Sequence, residues 1–228
     1  MKEHVRVVAI DGPAGSGKST VARRVAERLR FTHIDTGAMF RAVTLLALNK
    51  GVSIDDEASV SGAAADAKIE LREGKVFLDG ADVTVEIRSG RVTRDVPRVS
   101  SYPRVRELLL DLQRSMARNT VGDGDSSRGG IVMEGRDIGT VVFPDARWKF
   151  FIDAAPEVRA KRRLEELAAA GRRKEFEWVL ADIVKRDKDD RERPVAPLKP
   201  AEDATVIDTA PLSIDEVVDQ IAAAVLRC

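Results

Sequence analysis

Apolar positions set the first elements. Val5 to Ile10 is a short apolar run closed by Asp11 and Gly12, the form of a buried strand, and from Lys18 onward Val21, Ala22, Val25, Ala26 and Leu29 recur at helical spacing. "THID", residues 32–35, predicts a second short strand, and either Asp35 or Thr36 can cap a helix over about Ala38–Leu48. Between about Lys68 and Thr84 the alternation falls to every second residue around Glu73-Gly74, with Asp79-Gly80 as a second turn, which predicts a small antiparallel insertion. Pro103 opens a helix whose Val105, Leu108, Leu109, Leu112 and Met116 share a face and which stops near Asn119. "TVGDGDSSRGG", residues 120–130, has no periodicity and the composition of a mobile loop. "IVME", "WKFFID" and "ATVID" predict three further strands, and Ile214, Val217, Val218, Ile221 and Val225 a closing helix; the charge-rich stretch Arg159–Arg193 between them reads as a solvated helical pair. Strands alternating with helices predict an α/β fold, a parallel, doubly wound sheet with helices on both faces.

Composition narrows the class. The 228 residues suit one α/β domain with small insertions. Lys and Arg total 38 against 38 Asp and Glu, so net charge gives no reason to expect nucleic acid or an anionic membrane as partner. The single cysteine, Cys228, excludes an internal disulfide framework and a cysteine-based zinc site, and fits a reducing cytoplasm. No apolar run approaches the roughly 18–20 residues of a membrane span, and charges interrupt the N-terminal "MKEHVRVVAI" where a signal peptide would have its core. A soluble, cytoplasmic protein is expected.

The chemistry begins at "DGPAGSGKST". Gly12, Pro13, Ala14, Gly15, Ser16, Gly17, Lys18 and Ser19 match G-x-x-x-x-G-K-[ST] between a predicted strand and a helix N-terminus, with Thr20 next in the helix. Glycines let backbone N–H groups turn inward around phosphate oxygens, the helix dipole favours an anion, Lys18 reaches the β and γ phosphates, and the Ser19 hydroxyl can hold Mg²⁺. A nucleoside triphosphate is implied, but switches, motors and kinases all use such a cradle. The base-reading N-K-x-D of a GTP switch is missing: "NKG" at 49–51 lacks its acidic residue, and "RDIG" has the wrong spacing for the accompanying D-x-x-G. Arginines instead gather at element edges, among them Arg41, Arg104, Arg106, Arg136, Arg159, Arg163, Arg186 and Arg193, as phosphoryl transfer to a phosphate acceptor requires.

Taken in order, "DGPAGSGKST", "IDTGAMFRA", "DVTVEIRS", "PRVRELLLDLQR", "EGRDIGTVVFPDA", "FIDAAPEVRAKRR" and "RDKDDRERPVAPLKPAEDATVIDT" resemble the bacterial cytidylate kinases over nearly the whole chain. The resemblance implies transfer of a phosphoryl group from Mg-ATP to CMP or dCMP by a monomeric kinase of the nucleoside monophosphate kinase fold. It implies a single domain over 1–228, with core segments 1–62, 96–155 and 195–228, a monophosphate-binding insertion at 63–95 and a helical lid at 156–194. By the same resemblance, Asp35, Thr36, Gly37 and Arg41 receive the acceptor, Thr36 with a hydroxyl and Arg41 with a charge. Arg136 is a second phosphate grip, and Asp137 accepts from the cytosine amino group while Arg106 donates to the opposite base edge. Arg186, Asp190 and Arg193 lie near ribose and phosphates, with Lys18, Arg136, Arg186 and Arg193 as the catalytic charges. Arg159 and Arg163 match lid arginines that close on ATP. Asp35 is read two ways, as a water-mediated partner of Mg²⁺ or as a helix cap; Asp137 could pair with Arg136, and Arg186 with Asp190. Two departures stand out: Pro97 falls where the family often has a base-contacting Ser or Thr, leaving Ser100 or Ser101 as substitutes, and Phe40 takes a position often held by Tyr.

Overall fold

The computed structural model describes residues 6–72, 74–122, 129–169 and 171–227. Its chain forms two compact units, the described residues of Met1–His33 with Gly124–Cys228, and those of Ile34–Asp123.

The first unit is built on a sheet. β1 (Val7–Asp11) is its central strand, paired in parallel with β6 (Ile131–Gly135) on one side and β7 (Trp148–Asp153) on the other, and β7 pairs in parallel with β8 (Thr205–Asp208). With β2 (Thr32–Asp35) the order is β2-β6-β1-β7-β8. Alternation along β1 decides the packing. Val8 and Ile10 point to the face covered by α1 (Lys18–Leu29) and α8 (Ile214–Leu226), meeting Val21, Val25, Val217 and Ile221, while Val7 and Ala9 on the other side are also buried. A strand covered on both faces has no polar alternation, which is why "VRVVAI" reads as a continuous apolar run. Between β7 and β8, α6 (Pro156–Ala169) and α7 (Phe176–Glu192) pack through Ala160, Val179 and Ile183, so the predicted solvated pair has a small core of its own.

In the second unit, α2 (Thr36–Asn49) starts at Thr36, earlier than periodicity suggests, because the Asp35 carboxylate caps it by accepting from the Ala38 N–H at 3.2 Å. α3 (Glu57–Ala65), which the sequence reading left without an element, is capped likewise by Asp56. The antiparallel insertion expected over about Lys68–Thr84 is present: β3 (Ile69–Arg72), β4 (Lys75–Leu78) and β5 (Ala81–Asp82) form it, turning through Gly74 and through Asp79-Gly80, all three at positive φ. Beyond it the chain is helical, with a 3-10 turn at Glu86–Arg88 and α4 (Gly90–Ser101), which buries Val92, Val96 and Val99. α5 (Pro103–Gly122) begins at the proline and runs three residues past the expected stop at Asn119. The rest of the 120–130 segment lies outside the described residues up to Gly129. Among the described residues no helix is long and apolar enough to cross a membrane.

Candidate active site

The phosphate cradle leaves the C-terminal end of β1, where open α/β sheets bind their ligands. Gly12 is required there by space as well as by its φ of 151°: a Cβ would stand 2.0 Å from the Ile152 carbonyl oxygen. Gly17, at φ 89°, caps α1. Lys18 is buried and donates to the Pro13 carbonyl at 2.6 Å. Burial, then the Arg136 guanidinium, pushes its pKa down to about 7, with Glu134 pulling the other way.

Beside the cradle stands a carboxylate that the motif reading did not single out. Glu134, buried at the end of β6, accepts from the Ser19 hydroxyl at 2.7 Å and lies 2.9 Å from His33 Nε2. Burial alone would raise its pKa, but His33, Lys18 and Ser19 together hold it below the ordinary carboxylate value. Its signal in the sequence was a lone acid ending the apolar run "IVME". Asp11 is the other such residue. It accepts the Ile138 and Gly139 N–H groups, each at 2.8 Å, and so fixes a π-helical turn (Ile138–Val142) directly after Asp137; burial raises its pKa to about 6 against the two N–H groups that lower it.

Four of the residues carried over by resemblance meet beyond that turn. The Arg136 Nε donates to Asp190 at 2.9 Å, and the Arg193 guanidinium lies 3.9 Å from Asp190 and 3.5 Å from Asp137. Burial would raise the pKa of Asp190, but Arg136, Arg186 and Arg193 hold it low, while burial and then Arg136 lower that of Arg186. Asp190 is thus the hub of three cations. Arg163 is exposed and paired with Glu166 at 2.8 Å, and its charge adds to the lowering of the Arg186 pKa. Arg159, read as a lid arginine, is fully buried and bonded to Asp187 and to the Ala14 carbonyl of the cradle.

In the second unit, Arg41 donates to the Ile87 carbonyl at 3.2 Å and to the Thr93 hydroxyl at 2.9 Å, and Thr36 is buried at the start of α2 next to Gly37. Arg106 is buried, donates to the Ser100 carbonyl at 3.0 Å and stacks on Phe40 with its guanidinium carbon 5.3 Å from the ring centre. An aromatic face without a hydroxyl serves that stack as well as tyrosine would. Asp35, besides capping α2, lies 3.4 Å from Arg88. Pro97 sits inside α4, and the Ser100 and Ser101 hydroxyls donate to the Pro97 and Arg98 carbonyls of that same helix, at 3.1 and 2.7 Å.

The family model described as cytidylate kinase matches residues 8–227. The chain belongs to the cytidylate kinase family. Similar relatives include the cytidylate kinase of Pelotomaculum thermopropionicum, 50% identical over 223 residues that make up 96% of this chain and 95% of the relative. That of Rhodococcus jostii is 46% identical over 219 residues, 94% of this chain and 92% of the relative. Among solved structures, an uncharacterized protein from Eubacterium ventriosum superposes with a TM-score of 0.52 at 13% identity, over 97% of this chain and 99% of that one, a likeness of fold alone. Membership of a kinase family implies ATP-dependent phosphoryl transfer, which generally needs a divalent cation. The side chains present fit one: a serine hydroxyl and an ionised carboxylate 2.7 Å apart are hard oxygen donors, and no three-residue cage of His, Cys, Asp or Glu is found among the described residues. Such a pair suits an ion that takes its other ligands from water and phosphate.

Proposed function

We propose that this protein phosphorylates CMP and dCMP with ATP, giving CDP or dCDP and ADP, and so serves pyrimidine nucleotide metabolism. The observation that carries this is family membership over residues 8–227, supported by a complete cradle and by the half-buried Arg136 and Arg186 and buried Arg193 around Asp190.

The roles are those the family resemblance implies, and each suits the chemistry of its side chain. Backbone N–H groups from Ala14 to Thr20 wrap the triphosphate, and Lys18, released from the Pro13 carbonyl, neutralises the phosphates it meets. Ser19 and Glu134 would hold Mg²⁺; when bound, the ion neutralises charge on the transferring phosphoryl group. In the second unit Thr36, Gly37 and Arg41 are assigned to the acceptor phosphate; in the first, Arg136 is a phosphate grip and Arg186, Asp190 and Arg193 position ribose and phosphate. Arg163 is free to swing from its surface partner towards ATP as the α6–α7 lid closes and excludes water. The acceptor is already a phosphate anion, so no general base is needed, and catalysis is positioning plus charge neutralisation. In the first unit Asp137 is assigned the 4-amino group of cytosine, and the carbonyl oxygen of uracil would set two acceptors against each other there; in the second unit Arg106 is assigned as a donor to the base. The protein acts as a cytoplasmic monomer.

The test is ADP release over a panel of CMP, dCMP, UMP, AMP and shikimate. CMP and dCMP should turn over fastest, and Asp137→Ala should narrow the preference for CMP over UMP by about 1–3 kcal/mol, the range for one base-edge contact. Comparable wild-type turnover with AMP or UMP would sink the assignment, and an unaltered CMP/UMP ratio in the variant would move the base reader elsewhere.

A further inference from the structure

Of the fully buried side chains among the described residues, that of Arg159 is the largest, and it is a cation. Its Nε donates to the Ala154 carbonyl at 2.8 Å, and its Nη1 donates to the Ala14 carbonyl and to Asp187 Oδ1, both at 3.0 Å. Nη2 donates to the second oxygen of Asp187. Asp187, itself buried, therefore meets the guanidinium fork with both oxygens, the geometry that fixes an arginine most firmly.

The bond to Ala14 has a consequence for the cradle. No peptide bond among the described residues is cis, and across a trans peptide the carbonyl and the following N–H point in opposite directions. A carbonyl of Ala14 tied to Arg159 thus turns the Gly15 N–H away from α6. Gly15 itself sits at φ 75°, and a Cβ there would stand 3.5 Å from the Arg159 Cβ, so the arginine stem also backs this turn of the loop.

We propose that Arg159 is a positioning residue for the donor nucleotide: it acts through the backbone, fixing the Ala14-Gly15 peptide in the orientation that presents an N–H to the triphosphate, while Asp187 holds it in place. This rests on the reading of the cradle as the ATP site. It removes Arg159 from the set of lid residues that reach ATP directly.

Taking one partner out of a buried ion pair strands a charge, whereas an apolar pair of similar volume does not. The test is therefore Arg159→Met/Asp187→Met, with Arg159→Lys as the conservative variant that can bond Ala14 or Asp187 but not span both. For each, thermal unfolding, the Kd of a non-hydrolysable ATP analogue and the Kd of CMP are measured. The double variant should unfold near the wild-type temperature, bind the analogue about tenfold more weakly, the scale of one misplaced hydrogen-bond donor, and bind CMP as the wild type does. Arg159→Lys should fall between. A folded double variant with wild-type analogue affinity overturns the proposal, as does equal weakening towards both nucleotides; if the double variant does not fold, the same criteria apply to Arg159→Lys. Wild-type protein that fails to bind the analogue overturns the reading of the cradle instead.

Discussion

On the proposed reading of the cradle, a nucleotide bound at Lys18 must reverse the protonation state that burial favours there. Burial and Arg136 depress its pKa from 10.5 to about 7, so between those values the unfolded chain binds more protons than the folded one. Stability from this group rises with pH across that window. Phosphate oxygens beside Lys18 favour the ammonium and raise its pKa again, so ATP binding above pH 7 takes up a proton. Calorimetry at pH 8 in buffers of different ionisation enthalpy should show uptake approaching about one proton per ATP, and affinity should fall by up to about tenfold per pH unit above 7. Lys18→Ala should abolish the uptake and nearly all turnover; uptake unchanged in that variant would place the titrating group elsewhere. Single residues were legible where a motif names them, as with Gly12, Lys18 and Ser19. Glu134, Asp11 and Asp187 were not, because a buried carboxylate is specified by what surrounds it, and those surroundings come from strands and helices distant in the chain.

Elements were legible when one face is apolar and the ends are punctuated. In α8, Ser213 and Glu216 form a reciprocal cap, the Ser213 Oγ accepting from the Glu216 N–H at 3.3 Å and the Glu216 carboxylate accepting from the Ser213 N–H at 2.8 Å. Behind the cap, Val217, Val218, Ile221 and Val225 pack on the sheet beside α1, whose first turn carries Lys18 and Ser19. Support of the cradle helix is thus separate from its chemistry. Ser213→Ala should cost about 1 kcal/mol and Ile221→Ala about 2–5 kcal/mol in denaturant unfolding, with KM for both nucleotides unmoved below the transition. A change in KM from Ser213→Ala would tie α8 to the site. α3 and α4 escaped notice for opposite reasons. "EASVSGAAA" is made of small residues and offers no stripe, whereas "GRVTRDVPRVSS" has a stripe of Val92, Val96 and Val99 but carries β-branched residues and Pro97, all poor helix formers. Burial of the valines outweighs propensity there.

At the scale of the whole molecule, equal totals of 38 acidic and 38 basic residues hide a local arrangement in which Lys18, Arg136, Arg186 and Arg193 surround a few acids. Alternation of strand and helix predicted the parallel sheet. It could not predict the strand order, since order depends on which strands lie beside β1, and a continuous apolar run marks burial without naming a neighbour.

That order also governs how the protein is made. Both partners of β1 lie far downstream, Asp11 standing opposite Gly135 on one side and Phe151 on the other. At ~5–20 residues per second the ribosome spends on the order of ten seconds between synthesising the cradle and supplying the first strand that can pair with it. Throughout that interval β1 is an unpaired apolar edge, a natural client for a chaperone, and the nascent chain cannot yet hold ATP.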